Sequence, residues 1–338
     1  MLEILMKLAA KVFLKNTMPC YIISREPIIL TSYWVDFFNN HERIISLLPN
    51  NKKCYFLFQL GYHVEKEWRM KEINEQIAEI NNSISTANLE YIFLCNSEEE
   101  TEMLKSSNLN AVFCNQNAFL DENNYNVIKK CDKLYDAVYL ARFTPFKRHE
   151  LAADIKKLKL IGDYKESEKE YFDKSRKLLS SAEWTKKVYA FNIYKHLNQA
   201  KVGLCLSPEE GAMFVSTEYL LCGLPIVSTK SIGGRDIYYN NEYVEIVDDA
   251  SGDVASGVKT LINKNIDPEY VRNKTIEIMI EHRNIFIDVV QKIYDKENKN
   301  SSFKEEWADV FVHKLGLRTN LPFNILKKRI LRDKSFIN

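Results

Sequence analysis

The sequence predicts an α/β protein of two domains, each built on a mainly parallel sheet. Short apolar runs alternate with helical stretches through most of the chain, the pattern left by strands joined through crossover helices. A length of 338 residues suffices for two cores. A polar stretch without clear period at 121–133 separates the two series and marks the passage between domains.

In the first series the apolar runs 20–24, 54–60, 91–95 and 111–114 read as strands, and 36–47, 67–81 and 97–106 as the helices between or beside them. In the second, strands are expected at 138–141, 158–161, 202–206, 226–228 and 244–247. Helices are expected at 193–200, 214–222, 253–262 and 269–294, the second of them ended by Gly223 and Pro225. The division is therefore 1–125, 133–298 and a helical, basic tail at 299–338.

Composition excludes several functions. The 47 basic and 46 acidic side chains leave a net charge of +1, which argues against a nucleic-acid partner. Seven scattered cysteines with no Cys-x-x-Cys spacing read as buried thiols in a reducing compartment. Dispersed histidines and the lack of an Asp-x-Asp motif predict chemistry without a metal or other cofactor. No run of eighteen apolar residues and no convincing signal-peptide cleavage site is found, so a cytoplasmic protein is expected. Residues 1–15 place Leu2, Leu5, Met6, Ala9, Val12 and Phe13 near one helical face beside Lys7, Lys11 and Lys15, and 321–334 interleaves apolar residues with Lys327, Lys328, Arg329 and Arg332. Either segment suits the anionic inner face of a plasma membrane; packing on the protein is the commoner use of such a face.

The chemistry is concentrated in 207–225. Glu210 falls in the exit loop of the strand 202–206 and Glu218 on the helix that follows, with seven residues between them. A carboxylate accepts two coplanar hydrogen bonds and so holds a vicinal diol, while the helix N-terminus between the two faces an anion. Two solvated acids on an ordinary amphipathic helix are the alternative. Upstream, Arg142 and Lys147 follow the strand 138–141 around a turn marked by Pro145, placed to converge on a diphosphate beyond the strand's carboxyl end. Taken alone, such cations are more often solvated.

The string Glu210-x7-Glu218, Gly223-x-Pro225-Ile-Val-Ser-Thr229 and Gly233-Gly234, with the upstream Arg142-x4-Lys147, resembles the donor site of retaining GT-B glycosyltransferases, glycosyltransferase family 4 above all. The resemblance implies two Rossmann-like domains, a short N-terminal one on the acceptor side, and C-terminal helices that cross back over it. It implies that Glu210 binds donor-sugar hydroxyls, that Glu218 binds the ribose, and that Arg142 and Lys147 stabilise the departing diphosphate. Backbone groups of Gly211, Ala212 and Met213 are further donor contacts, and Gly162, in the Leu-Ile-Gly at the end of the strand 158–161, lets backbone approach the donor; such a glycine is otherwise simply a turn. The implied partners are a nucleotide-diphosphate sugar and a hydroxyl of a glycan or lipid-linked acceptor, in surface polysaccharide synthesis.

The resemblance is close only over about 135–250, and one feature departs from it. A glycine-rich loop after the first strand is missing, since the first glycines are Gly61 and then Gly162. Gln59-Leu-Gly-Tyr-His63 is one candidate replacement, with His63 as a catalytic histidine meeting donor or acceptor in the cleft, or a structural one. The other is Asn115-Gln-Asn117, whose amides suit acceptor hydroxyls or simply cap a loop. Two other functions fit the same residues: a sugar-nucleotide epimerase, and a non-catalytic sugar-nucleotide-binding partner in a glycan assembly complex.

Overall fold

The computed structural model describes residues 17–86, 88–186, 188–316 and 321–322. The segment 1–15 and nearly all of 321–334 lie outside the described residues; Leu321–Pro322 pairs antiparallel with Thr17–Met18. The chain divides into two compact units, one of residues up to Phe119 together with those from His282 onward, the other Leu120–Glu281.

The first unit holds a five-stranded sheet in simple order: β1 (Tyr21–Arg25), β2 (Ile28–Tyr33), β3 (Cys54–Gln59), β4 (Leu89–Cys95) and β5 (Ala111–Phe113). Only β1 is antiparallel. The connections carry α1 (Trp34–Phe38), α2 (His41–Ile45), α3 (Glu67–Ser83) and α4 (Glu98–Ser106). β2 is a strand that the sequence reading omits. Its Ile-Ile-Leu is buried on both sides, so it shows no alternation, and its Thr31 hydroxyl is spent on the Leu57 carbonyl. The expected single helix 36–47 is two short ones, because the Asn40 side chain bonds the Asp36 carbonyl at 2.9 Å and interrupts the ladder.

Right-handed crossovers that always advance in one direction place every connecting helix on the same face of the sheet. Alternate residues accordingly enter different cores. Leu30, Phe56, Phe58 and Phe93 pack with Trp34, Phe37, Ile73 and Leu104. Their neighbours Ile29, Tyr55, Leu57, Ile92 and Leu94 form the opposite face, which Phe286, Val290, Ile293, Tyr294 and Phe303 cover.

The second unit has six parallel strands: β6 (Tyr135–Leu140), β7 (Leu158–Ile161), β8 (Glu183–Thr185), β9 (Ala200–Cys205), β10 (Ile226–Thr229) and β11 (Val244–Val247). Their spatial order is β11-β10-β9-β6-β7-β8, the doubly wound arrangement. Helices α5 (Lys169–Leu178), α6 (Ile193–Asn198), α7 (Phe214–Leu221) and α8 (Ser251–Lys264) connect or follow them. Neither α5 nor β8 is in the sequence reading: α5 buries only Phe172 and Ser175, and β8 is a three-residue edge strand. The chain then returns through α9 (Pro268–Lys296), which changes unit at 281/282, and α10 (Phe303–Val310) completes the cover of the first sheet. The expected boundary at 298 differs because helical spacing runs unbroken through α9 and does not signal which unit packs it.

Candidate active site

In a doubly wound sheet the order of connection reverses once, and the loops leaving the two strands at that point diverge to open a crevice. Here these strands are β6 and β9. The loop leaving β6 carries Arg142 and Lys147, and the loop leaving β9 carries Glu210.

Lys147 ends a short turn begun by Pro145, and its ammonium donates to Glu210 Oε1. The two side chains are 13% and 14% exposed, so the ion pair is largely withdrawn from water. Ser207 Oγ donates to the same oxygen at 2.5 Å. Arg142 lies apart from them: its side chain is 49% exposed and its Nε is 3.9 Å from Glu168 Oε2. The structure thus brings Lys147, but not Arg142, against Glu210.

The Glu210 loop is held from beneath. Glu210 N–H donates to the Ile232 carbonyl and Ile232 N–H to the Pro208 carbonyl, each at 3.0 Å, and Gly234 N–H reaches the Gly211 carbonyl at 3.0 Å. Gly233 makes this contact possible. Its φ is +103°, and a Cβ there would stand 1.8 Å from the Glu210 carbonyl oxygen.

Met213 caps the start of α7, and its left-handed backbone turns the chain from the loop into the helix. Met213 and Ala212 are buried. The helix rotation is fixed by Tyr219, whose hydroxyl accepts the Leu140 N–H at 2.6 Å and whose ring fills the space where Gly203 lacks a Cβ. Glu218, 7% exposed, accepts the Tyr125 hydroxyl at 2.9 Å. Arg272 of α9 fastens this region, donating to the carbonyls of Tyr125, Leu221 and Glu122. Gly162 is required for packing: a Cβ there would lie 1.9 Å from the Ala141 carbonyl oxygen, and the Gly162 carbonyl accepts Trp184 Nε1–H at 3.0 Å.

Sequence reasoning missed three residues. Arg148, in a left-handed conformation, donates to the Leu206 carbonyl at 2.6 Å, to Asp249 at 2.6 Å and to Thr229 Oγ1 at 2.7 Å, and so ties the exits of β6, β9 and β10. Arg235 is 1% exposed and reaches the Ser207 carbonyl at 2.8 Å. Tyr125 lies in the polar stretch read as a linker. For Arg148 and Arg235 the one signal in the sequence was position, directly after Lys147 and directly after Gly233-Gly234; Tyr125 had none. His149, by contrast, is structural: it is fully buried and stacked on Phe143 at 4.2 Å, and burial pushes its pKa down to about 3.

His63, Asn115 and Asn117 belong to the first unit and are buried. Asn115 Nδ2 donates to the Asn96 carbonyl at 2.8 Å while its Oδ1 accepts the Asn117 N–H at 2.9 Å. Asn96 and Gln116 both donate to the Leu60 carbonyl, so these amides hold together the loops leaving β3, β4 and β5. Glu100 joins the same loops, accepting the N–H groups of Asn96 at 2.7 Å and Val64 at 3.1 Å. Burial outweighs those bonds and pushes its pKa up to about 7. Among the described residues no group of three or more His, Cys, Asp or Glu side chains is placed to hold a metal ion, and no helix is long and apolar enough to cross a membrane.

Comparison with known proteins fits this geometry. Residues 124–264 match the family model described as glycosyl transferases group 1. No curated protein matches the chain in sequence. Among solved structures, Anabaena HepE in complex with UDP superposes with a TM-score of 0.59 at 14% identity, over 79% of this chain and 78% of that one. Sucrose-phosphate synthase from Thermosynechococcus elongatus gives 0.55 at 13% identity, over 81% and 74%. The pneumococcal O-GlcNAc transferase GtfA, in complex with UDP and GlcNAc, gives 0.53 at 10% identity, over 78% and 60%.

The fold is GT-B. Within it, the group 1 match covers most of the unit that carries Lys147, Glu210 and Glu218, and the two findings together support a GT-B glycosyltransferase.

Proposed function

We propose that the protein transfers a hexosyl group from a nucleotide-diphosphate sugar to an acceptor hydroxyl, with retention of anomeric configuration and without a metal ion. The observation that carries this reading is the Lys147–Glu210 pair at the reversal of the strand order, with Glu218 on the adjoining helix. The group 1 match and the UDP complexes of HepE and GtfA favour it.

Both described donors to Glu210 reach Oε1, which leaves Oε2 for donor-sugar hydroxyls. An ammonium has three N–H donors, so Lys147 keeps Glu210 in place and still offers hydrogens to a diphosphate. Glu218 takes the ribose, with Tyr125 Oη as the hydroxyl that precedes it. Gly162, Gly211, Ala212 and Met213 are the backbone contacts of the donor.

In the reaction the C1–O bond to the β-phosphate breaks and the acceptor oxygen bonds C1 on the same face. The acceptor proton passes to the departing phosphate oxygen, whose charge Lys147 and Arg142 neutralise. A glycan or lipid-linked saccharide of a surface polysaccharide is the proposed acceptor, with His63 the candidate catalytic histidine; Asn115 and Asn117, expected on the acceptor side, are buried, and the Asn115 amide bonds within its own loops. The test is product analysis. Incubation with a nucleotide sugar and a saccharide acceptor should yield a glycoside whose anomeric proton coupling matches that of the donor. Inverted product would remove the same-face mechanism, and a rearranged nucleotide sugar formed without acceptor would replace transfer by epimerisation.

A further inference from the structure

We infer that Arg235 is a positioning residue that sets donor-sugar selectivity by orienting Glu210 through Ser207. The inference rests on the reading of Glu210 as the sugar-binding carboxylate.

Arg235 is among the largest fully buried side chains, yet none of its hydrogen-bond partners is anionic. Nη1 donates to the Ser207 carbonyl at 2.8 Å and to Ser207 Oγ at 3.2 Å. Nη2 donates to Ser228 Oγ at 3.0 Å and to the Thr229 carbonyl at 2.5 Å. Nε has no partner. A buried guanidinium without a carboxylate is costly to keep, and shape alone does not require one, since an apolar side chain of similar volume fills the same space at less cost.

The geometry supplies a reason to keep it. A hydroxyl that accepts from a guanidinium has its own proton directed elsewhere, and Ser207 directs it at Glu210 Oε1, 2.5 Å away. The cation polarises that hydroxyl and strengthens its bond to the carboxylate. Arg235 also grips the exits of both β9 and β10, so the serine cannot drift from the loop that carries Glu210. With Oε1 clamped by Ser207 and Lys147, Oε2 is left at one fixed position to distinguish sugar hydroxyls.

The experiment compares wild type with Arg235→Met, Arg235→Lys, Ser207→Ala and the Arg235→Met/Ser207→Ala double variant. Binding of UDP with UDP-glucose and UDP-galactose, GDP with GDP-glucose and GDP-mannose, dTDP with dTDP-glucose and dTDP-galactose, and ADP with ADP-glucose and ADP-mannose is measured for each, with kcat and KM for the donor that wild type prefers and for its epimer. Arg235→Met and Ser207→Ala should each lower kcat by about tenfold to a hundredfold, with the affinity for the bare nucleotide changed less than about twofold. Discrimination between epimeric donors should fall in parallel, and the double variant should be no worse than either single one. Because a cavity of about 110 Å³ adjoins Arg235, Ser228, Thr229 and Tyr239, guanidinium ion at sub-denaturing concentration should partly restore an Arg235→Ala variant.

A folded Arg235→Met enzyme with wild-type selectivity overturns the inference, as does an equal loss of affinity for nucleotide and nucleotide sugar. Should Arg235→Met fail to fold, an Arg235→Lys and Ser207→Ala pair that both retain wild-type selectivity has the same force. A wild type that binds none of these nucleotide sugars removes the donor-site reading, and the inference with it.

Discussion

Lys147 and Glu210 are each too buried to lose the other without consequence. In the proposed reaction Lys147 faces both Glu210 and the departing phosphate, so replacing it with Met should lower kcat about 100-fold to 1000-fold. Steady-state kinetics with saturating donor measures it. Gly233→Ala should destabilise the second unit by at least about 1–3 kcal/mol, since the positive φ is unfavourable for alanine and the new Cβ strikes the Glu210 carbonyl. A denaturant midpoint equal to wild type would contradict that. The placement of Glu210 and Glu218 across a strand-to-helix turn, and of Lys147 just past a strand exit, was legible because their spacing is itself the signal. Arg235 and Arg148 were not. Their roles arise where the exits of β6, β9 and β10 meet, and no interval along the chain encodes which strands are neighbours.

At the scale of elements, β2, β8 and α5 show what sequence periodicity cannot carry. A strand buried on both faces, an edge strand of three residues and a helix that buries two side chains each give too few alternations to read. Where the pattern is strong, as in β3, β4 and β9, strand and prediction coincide within a residue or two. Two predictions belong to this scale. Tyr219→Phe leaves the Leu140 N–H without its acceptor, which should cost about 1–3 kcal/mol of stability and loosen α7 where it carries Glu218. Calorimetry and the affinity for bare nucleotide should both register the change.

Glu100 supplies the second. Its folded pKa, raised to about 7 from 4.5, means that the native state holds the proton more tightly than the unfolded state. That contribution is present below about pH 4.5, is lost progressively as pH rises toward 7, and amounts to roughly 3 kcal/mol across the interval. Relative to wild type, a Glu100→Gln variant should therefore gain stability as pH rises from 4.5 to 7. A pH-independent difference would mean that Glu100 titrates as it does in the unfolded chain.

For the whole molecule, the one-way winding of the first sheet leaves a face that its own crossovers cannot cover, and α9 and α10 supply the cover from the far end of the chain. Phe286, fully buried there, should cost about 3–5 kcal/mol when replaced by alanine. Tryptophan emission from Trp34 and Trp307, both in the first unit, would report the loss, whereas an unchanged unfolding curve would show that the sheet does not depend on this cover. The second sheet needs no such help, because reversal of its strand order sends helices to both faces and opens the site in the same stroke.

The central claim, that this reversal point binds a nucleotide-diphosphate sugar, is tested most directly by calorimetric titration of UDP-, GDP-, dTDP- and ADP-sugars into wild type and into Glu210→Gln and Glu218→Ala variants. One nucleotide sugar should bind wild type selectively, Glu218→Ala should weaken both it and its bare nucleotide, and Glu210→Gln should weaken only the sugar-bearing form. Equal binding by all three proteins would place any nucleotide elsewhere and contradict the account.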